Sequence, residues 1–346
     1  MFPKEVIVIG TSMGGIEALK TIVAGLPPDF SAAVCIVLHV GAHGLGLLPE
    51  ILHRAGPLPA SNARDGQEIE AGHIYVAPAD HHLLVESSGH LRLSHGPKEN
   101  RTRPAVDPLF RSAAVAFGSR VIGVVLTGWL DDGTAGLWAV KERGGTAIVQ
   151  DPNDALAASM PQSALKHVAV DHCVPLQEIA PLLVRLTTAP AREKGTQPMS
   201  KLMETEVRIA REERAMDTGL EEVGVPAPYA CPECHGVLLQ LKEGSNLRFR
   251  CHTGHAYSIE SLLSELTEKT EEVLWTAIRS IEETVLLLRR MSSQLVEHQH
   301  HPAAETMLQR AYAAQQRADL VRKAVFTHEK ISSEGLSFPK AHLTHG

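Results

Sequence analysis

The chain has 346 residues, more than one domain of roughly 100–200 residues needs, so two units or a domain with appendages are expected. Its 44% hydrophobic and 21% charged residues exclude a wholly disordered or fibrous chain, and a formal charge of -7 argues against a broad nucleic-acid footprint. Five cysteines, three of them at metal-ligand spacing, favour a reducing compartment over a disulfide framework. The start of the chain reads straight into a strand without a leader, and no apolar stretch approaches the ~18–20 residues of a membrane span. A cytoplasmic protein without membrane insertion is expected.

Up to about residue 187 two textures alternate. Short runs rich in Val and Ile, at 5–10, 33–39, 121–127 and 146–150, are apolar on both faces, as strands of a covered parallel sheet are. Helix-period stretches lie between and after them, at 15–25, 45–55, 107–117, 134–143 and 160–167. This alternation predicts a doubly wound, mainly parallel α/β sheet with helices on both faces. Residues 73–85 and 90–95 flank Ser87-Ser88-Gly89 and read as the two arms of an antiparallel hairpin.

Beyond Leu186 the composition shifts. Residues 188–226 read as a linker containing Pro190 and Gly195, then a charged helix over 200–222. Residues 227–258 form a compact Cys/His module. Apolar positions recur at helical spacing over 259–295 and again over 304–325, which predicts an antiparallel helical hairpin within 259–333, followed by a tail over 334–346. Trp275 is expected in its core, and Glu271, Glu272, Glu282 and Glu283 on a solvated face.

Gly10-Thr11-Ser12-Met13-Gly14-Gly15 joins the first strand to the first helix. Ser12 is thereby raised to the carboxyl edge of the sheet, where open α/β folds bind ligands, beside the unpaired N–H groups of a helix start. A phosphate cradle is the plainer reading of such glycines, but neither dinucleotide nor P-loop spacing is present. His39 ends the second strand, and Asp131-Asp132-Gly133 follows the strand at 121–127. Alone, His39 reads as structural and either aspartate as a helix cap. Together they bring a serine, a base and an acid to one sheet edge, the set that an activated serine requires. The order Ser…His…Asp and the missing G-x-S-x-G exclude an ordinary lipase-type fold.

With GTSMGG (10–15), LHV (38–40), IYVAPADHHLLV (74–85), RTRPAVDPLF (101–110), TGWLDDGTAG (127–136) and QDPNDALAASMPQSAL (150–165), the chain resembles the chemotaxis protein-glutamate methylesterase (CheB) family over about residues 3–187. The resemblance implies a hydrolase of glutamyl methyl esters, also able to deamidate glutamines, acting on a methylated chemoreceptor or receptor-like signalling protein. A receptor methyltransferase or histidine kinase is a further partner of that setting. It implies Ser12 as nucleophile, His39 as base and Asp132 as orienting acid, with no cofactor for catalysis. Met13, Gly14 and Trp129 would line the oxyanion site and pocket, with Arg103 and Asp107 beside them. Two departures stand out. Trp129-Leu130 replaces a Met-Gly pair, which adds bulk and removes a glycine at residue 130. The catalytic strand starts near residue 5, so the phospho-acceptor receiver domain usual in the family is not expected, and the residues after 187 become the candidates for governing access. A catalytically idle interaction module of a two-component signalling system is the second reading.

Cys231-Pro-Glu-Cys234 with Cys251-x-x-x-His255 matches a zinc-ribbon template that has one histidine. A closed structural zinc site of Cys231, Cys234, Cys251 and His255 is expected, His235 and His252 being the competing fourth ligands. Arg248 and Arg250 could offset its negative charge. Cys35 and Cys173 read as inert core thiols, and His81-His82 and His298, His300 and His301 as turn residues.

Overall fold

The structure is a computed structural model that describes residues 5–39, 46–188, 198–243 and 246–327. It divides into two compact units, Met1–Leu262 and Leu263–Gly346.

In the first unit, β1 (Val6–Thr11), α1 (Gly15–Ala24), β2 (Ala33–Leu38), α2 (Leu48–Ala55), β3 (Ala60–Asn62) and β4 (Ile74–Val76) open the expected α/β pattern. A two-stranded antiparallel pair follows, β5 (His82–Val85) with β6 (Leu91–Ser94). The pattern resumes with α3 (Val106–Phe117), β7 (Val121–Val125), α4 (Thr134–Glu142), β8 (Thr146–Gln150), α5 (Ser159–His167), β9 (His172–Val174) and α6 (Leu176–Thr188). Seven strands form one parallel sheet in the order β3-β4-β2-β1-β7-β8-β9. Alternation within β1 explains its two-faced apolar character. Val6 and Val8 enter the cluster under α3 and α4, whereas Ile7 and Ile9 enter the cluster under α1 and α6. Each of these fully buried side chains contributes about 1.5–3 kcal/mol.

Several expectations change. The arm expected over 73–85 is two strands, since β4 joins the parallel sheet and only β5 pairs with β6. His82 is consequently a buried strand residue rather than a turn residue; its Nε2 bonds the Pro97 carbonyl at 3.0 Å. Cys35 is buried, its thiol pushed up to about 12 by burial, but Cys173 is exposed on edge strand β9 and is no core thiol. Pro190 and Gly195 of the expected linker lie outside the described residues.

The charged helix expected over 200–222 is broken into α7 (Lys201–Ala210), a 3-10 turn (Ala215–Thr218) and α8 (Leu220–Val223). Ser200 caps α7, its side chain accepting from the Met203 N–H at 3.3 Å, and Gly219 at φ 82 separates the last two pieces. The Cys/His module is an antiparallel sheet, β10 (Val225–Ala230), β11 (Val237–Glu243), β12 (Asn246–Cys251) and β13 (Ala256–Ser258). In the second unit, α9 (Ile259–Glu297), whose first turn belongs to the first unit, pairs with α10 (His301–Thr327) as the expected hairpin around Val285, Ala311 and Ala314. Trp275 is not core there: it is 42% exposed and meets Phe326 edge-on. Glu282 pairs with Arg322 rather than with solvent alone. The tail 334–346 lies outside the described residues, among which no helix is long and apolar enough to cross a membrane.

The module is fastened to the α/β layer by a buried charge cluster. Glu99, Arg111, Glu206, Arg248 and Arg250 are all at most 2% exposed. Arg250 Nη2 donates to Glu99 Oε1 at 2.7 Å and to Glu206 Oε1 at 2.8 Å, Arg248 Nη1 donates to Glu206 Oε2 at 2.7 Å, and Arg111 pairs with Glu99. Arg248 and Arg250 are therefore committed to these carboxylates and do not offset the thiols, contrary to expectation. Burial pushes Glu99 up, but Arg111, Arg250 and Arg248 outweigh it and hold the carboxyl at about 2; the same arginines hold Glu206 well below the usual range.

Both carboxyls are lower in the folded chain than the unfolded value of about 4.3, so their stabilisation is present above that pH and is lost as pH falls towards 2. Denaturant titrations of the full chain should show falling stability across that window. Glu206→Ala should cost about 3–5 kcal/mol at neutral pH by leaving buried guanidinium groups uncompensated, and should flatten the acid dependence. A cost below about 1 kcal/mol would show that the cluster does not hold the module.

Candidate active site and Cys/His cluster

β1 lies between β2 and β7, so the loops leaving these three strands converge at the carboxyl edge. Parallel register places Thr11 beside Leu38, and the His39 N–H donates to the Thr11 carbonyl at 3.1 Å. Ser12, directly after Thr11, is thus next to His39. On the other side the Ser12 N–H donates to the Thr127 carbonyl at 3.0 Å. Thr127 ties the loops together. Its hydroxyl donates to the Met13 carbonyl at 2.8 Å and accepts from the Ala157 N–H at 2.8 Å. Gly14 caps α1 at φ 78, a left-handed conformation suited to glycine, and turns the chain so that the helix start faces Ser12. Gly128 approaches so closely that an added Cβ would lie 2.9 Å from Ser12 Cβ and 2.1 Å from Met160 Sδ.

The two aspartates part company. Asp132 Oδ2 accepts from His39 Nε2 at 2.7 Å and from the Val106 N–H at 2.7 Å. Its Oδ1 accepts from Asn100 Nδ2 at 2.9 Å, the Gly133 N–H at 2.9 Å and the Asp107 N–H at 3.2 Å. Burial would raise this carboxyl, but the His39 contact and these donors outweigh it and hold Asp132 at about 2. Asp131 instead faces the module: Ser258 Oγ donates to its Oδ1 at 2.7 Å, and burial with the nearby Glu260 raises its carboxyl well above the usual range. The acid that meets His39 is therefore Asp132. Because the ring presents Nε2 to Asp132, Nδ1 is the nitrogen left to act as a base; no hydrogen bond joins the Ser12 hydroxyl to His39 among the described residues.

Met13 and Trp129 are exposed at the rim, as are Ile16 and Leu156. Leu130 takes φ 61, so the loop keeps a left-handed residue there despite the missing glycine. Arg103 does not reach into this rim. Its guanidinium is spent on Asp80 Oδ1 at 2.8 and 2.9 Å and on the carbonyls of His95 and Gly96, where it straps the segment before α3 to the residues flanking the β5–β6 pair. Asp107 lies behind Asp132, accepting from Gly133 and Gly136 N–H groups and from Asn100. Sequence reasoning missed Asn100, Thr127 and Ser258 as participants. Asn100 and Thr127 sit within or beside recognised motifs, but nothing in a sequence pattern couples residue 258 to residue 100.

In the module, Cys231, Cys234, Cys251 and His255 bring their Sγ and Nδ1 atoms within 4.8 Å of one another. Cys234 and Cys251 are 3.6 Å apart, and His255 Nδ1 lies 3.7 Å from Cys231 and 3.5 Å from Cys251. A tetrahedron with bonds of about 2.3 Å has edges of about 3.8 Å, so this donor set fits one zinc-sized ion. His252 packs over Gly236 and is not in the set; neither is His235.

The model of the CheB methylesterase domain matches residues 7–183. A protein from Leptospira interrogans, named for protein-glutamate methylesterase and protein-glutamine glutaminase activity, is 43% identical over 182 residues, 53% of this chain and 94% of that protein. A Rhodospirillum rubrum protein named for the same two activities is 40% identical over 186 residues, but the match spans only 48% of its length. Among solved structures, the catalytic domain of the Thermotoga maritima CheB methylesterase superimposes with a TM-score of 0.51 at 34% identity, covering 98% of that domain and 53% of this chain. With its parallel sheet, its His39–Asp132 pair beside Ser12 and a family match over half its length, this chain belongs to the CheB methylesterase family.

Proposed function

We propose that the protein hydrolyses glutamyl methyl esters, and deamidates glutamines, on a methylated chemoreceptor or receptor-like signalling protein in the cytoplasm. The observation that carries this reading is the 2.7 Å bond from His39 to a buried, ionised Asp132 on the strand edge that also presents Ser12. Ser12 Oγ adds to the γ-carbonyl carbon of the substrate while His39 Nδ1 takes its proton. Asp132 holds the ring through Nε2 and stabilises the imidazolium that forms. The Met13 and Gly14 N–H groups, which have no acceptor among the described residues, face the oxyanion; each such donor contributes about 3–4 kcal/mol in the best-measured hydrolases. The tetrahedral centre collapses, and the methoxy group takes the proton from His39 and leaves as methanol, or the amine leaves as ammonia from glutamine. Water deprotonated by His39 then releases the glutamate carboxylate and restores Ser12. The exposed Met13, Trp129 and Leu156 offer an apolar rim for a receptor helix.

The Cys/His cluster is read as a structural zinc site. A bound ion would cross-link the turn after β10 to the turn between β12 and β13, and four protein ligands leave no position for an activated water.

Ser12→Ala should lower methanol release by about 10⁴-fold or more with little change in stability. Asp132→Asn should cost on the order of 10³–10⁴-fold and Asp131→Asn less than about tenfold; the reverse order would transfer the acid role to Asp131. Gly128→Ala should cost about 1–3 kcal/mol by overpacking against Met160 and should slow turnover on the order of 10²-fold by displacing Ser12. For the metal, elemental analysis should find about one zinc per chain. Cys251→Ser should lose it and become protease-sensitive over 227–258, while His252→Ala should keep it. A metal-free wild-type protein with an equally resistant module would refute the zinc site.

A further inference from the structure

Asn100 occupies the junction between the Cys/His module and the catalytic carboxylate. It is 4% exposed and takes φ 48, a conformation that asparagine tolerates better than most residues. Its backbone is paired with the module: the Asn100 N–H donates to the Ala256 carbonyl at 2.8 Å, and the Ala256 N–H donates to the Lys98 carbonyl at 3.2 Å. Its side-chain oxygen accepts from the Ser258 N–H at 3.1 Å and Ser261 Oγ at 3.3 Å. With the oxygen held by the module, Nδ2 is aimed at the α/β layer, where it donates to Asp132 Oδ1 and Asp107 Oδ2, each at 2.9 Å. An amide whose two ends face opposite partners cannot flip without putting its N–H groups against donors and its oxygen against two carboxylates. The module therefore dictates which way Asn100 points.

We propose that Asn100 is a positioning residue through which the Cys/His module sets the Asp132 carboxylate and, through it, the His39 ring, so that the module completes the active site rather than merely following it. The inference rests on the assignment of His39 and Asp132 to the reaction. Three features make the coupling directional. Asp132 Oδ1 is the oxygen remote from His39, so a donor there rotates and anchors the carboxylate without competing for Oδ2. Ser258 holds Asn100 through its N–H while its hydroxyl holds Asp131, so one module residue braces the chain on both sides of the Asp131–Asp132 peptide. The buried Glu99–Arg250 pair sits one residue before Asn100 and anchors this loop against the module. Hydrogen bonds to a charged group matter most when buried, and losing this one should cost about tenfold or more in turnover.

The test uses the full chain with Asn100→Gly, which accepts the same backbone angle, Asn100→Asp, which keeps the size but sets a carboxylate against Asp132, and Ser261→Ala, which removes a donor to Asn100. Turnover of a small activated ester gives kcat and KM, and proton NMR follows the His39 Nε2–H resonance, assigned by its loss in His39→Gln. Asn100→Gly and Asn100→Asp should lower kcat about tenfold or more with KM within about twofold, and should shift or broaden that resonance. Ser261→Ala should produce a smaller change of the same kind, and the Ser261→Ala/Asn100→Gly double variant should be no worse than Asn100→Gly alone. A folded Asn100→Gly protein with unchanged kcat and an unchanged His39 resonance would overturn the proposal, as would additive losses in the double variant. If the wild-type chain turns over no ester, the assignment of Ser12 fails on its own, while the response of the His39 resonance still decides the role of Asn100.

Discussion

A carboxylate taken out of water must be solvated by the protein, and Asp132 is solvated from every direction that defines this site. The His39 ring comes from the end of β2, the Val106 and Asp107 N–H groups from the start of α3, the Gly133 N–H from the start of α4 and the Asn100 amide from the loop that pairs with the module. Five donors on two oxygens outweigh the cost of burial and keep the group ionised. The same convergence fixes the geometry. Two helix starts, a strand end and a loop can meet at one point only if the sheet, the helices on it and the chain around Asn100 are all in place.

That requirement gives the charge cluster its structural meaning. Three guanidinium groups and two carboxylates buried together are a poor route to stability compared with apolar packing of the same volume, because desolvation consumes most of the attraction. They are, however, highly selective about position. Glu99 belongs to the segment before α3, Glu206 to α7, and Arg248 and Arg250 to β12, so these pairs tie the module to the α/β layer in the placement observed. Register at β13 then follows, and with it the bond from Ser258 to Asn100. Residues 198–262 are therefore fastened on the Asp132 side of the site, while Ser12 stays half-buried at the opposite loop.

The strands and helices of the α/β layer were legible because both carry strong local periodicity: Val/Ile runs apolar on two faces and helices with one apolar stripe. Expectation and structure part where periodicity is weak. Residues 73–85 alternate well enough for one long strand, and nothing local says that the chain leaves the parallel sheet after Val76 and starts an antiparallel pair at His82. The break in 200–222 was hidden because its charged residues suit an exposed helix, whereas Glu206 is buried by arginines some 40 residues away. Trp275 is expected in the hairpin core, yet that core forms around Val285, Ala311 and Ala314, and Trp275 meets Phe326 while 42% exposed.

Chemistry with a required spacing was also legible. Cys231, Cys234, Cys251 and His255 were identifiable because short loops permit few ways of pointing ligands inward, and Ser12, His39 and Asp132 because each lies in the loop that follows the carboxyl end of a strand of one sheet. The layer architecture, the family and the residue types that meet at the site are properties of local pattern, and so can be read along the chain. Which aspartate faces His39, which ring nitrogen faces Asp132, where Arg103 and Arg250 spend their charge and how Asn100 joins the module to Asp132 depend on long-range packing. These are pairings between side chains far apart in the chain, each with several chemically acceptable partners, and only the packed fold selects one.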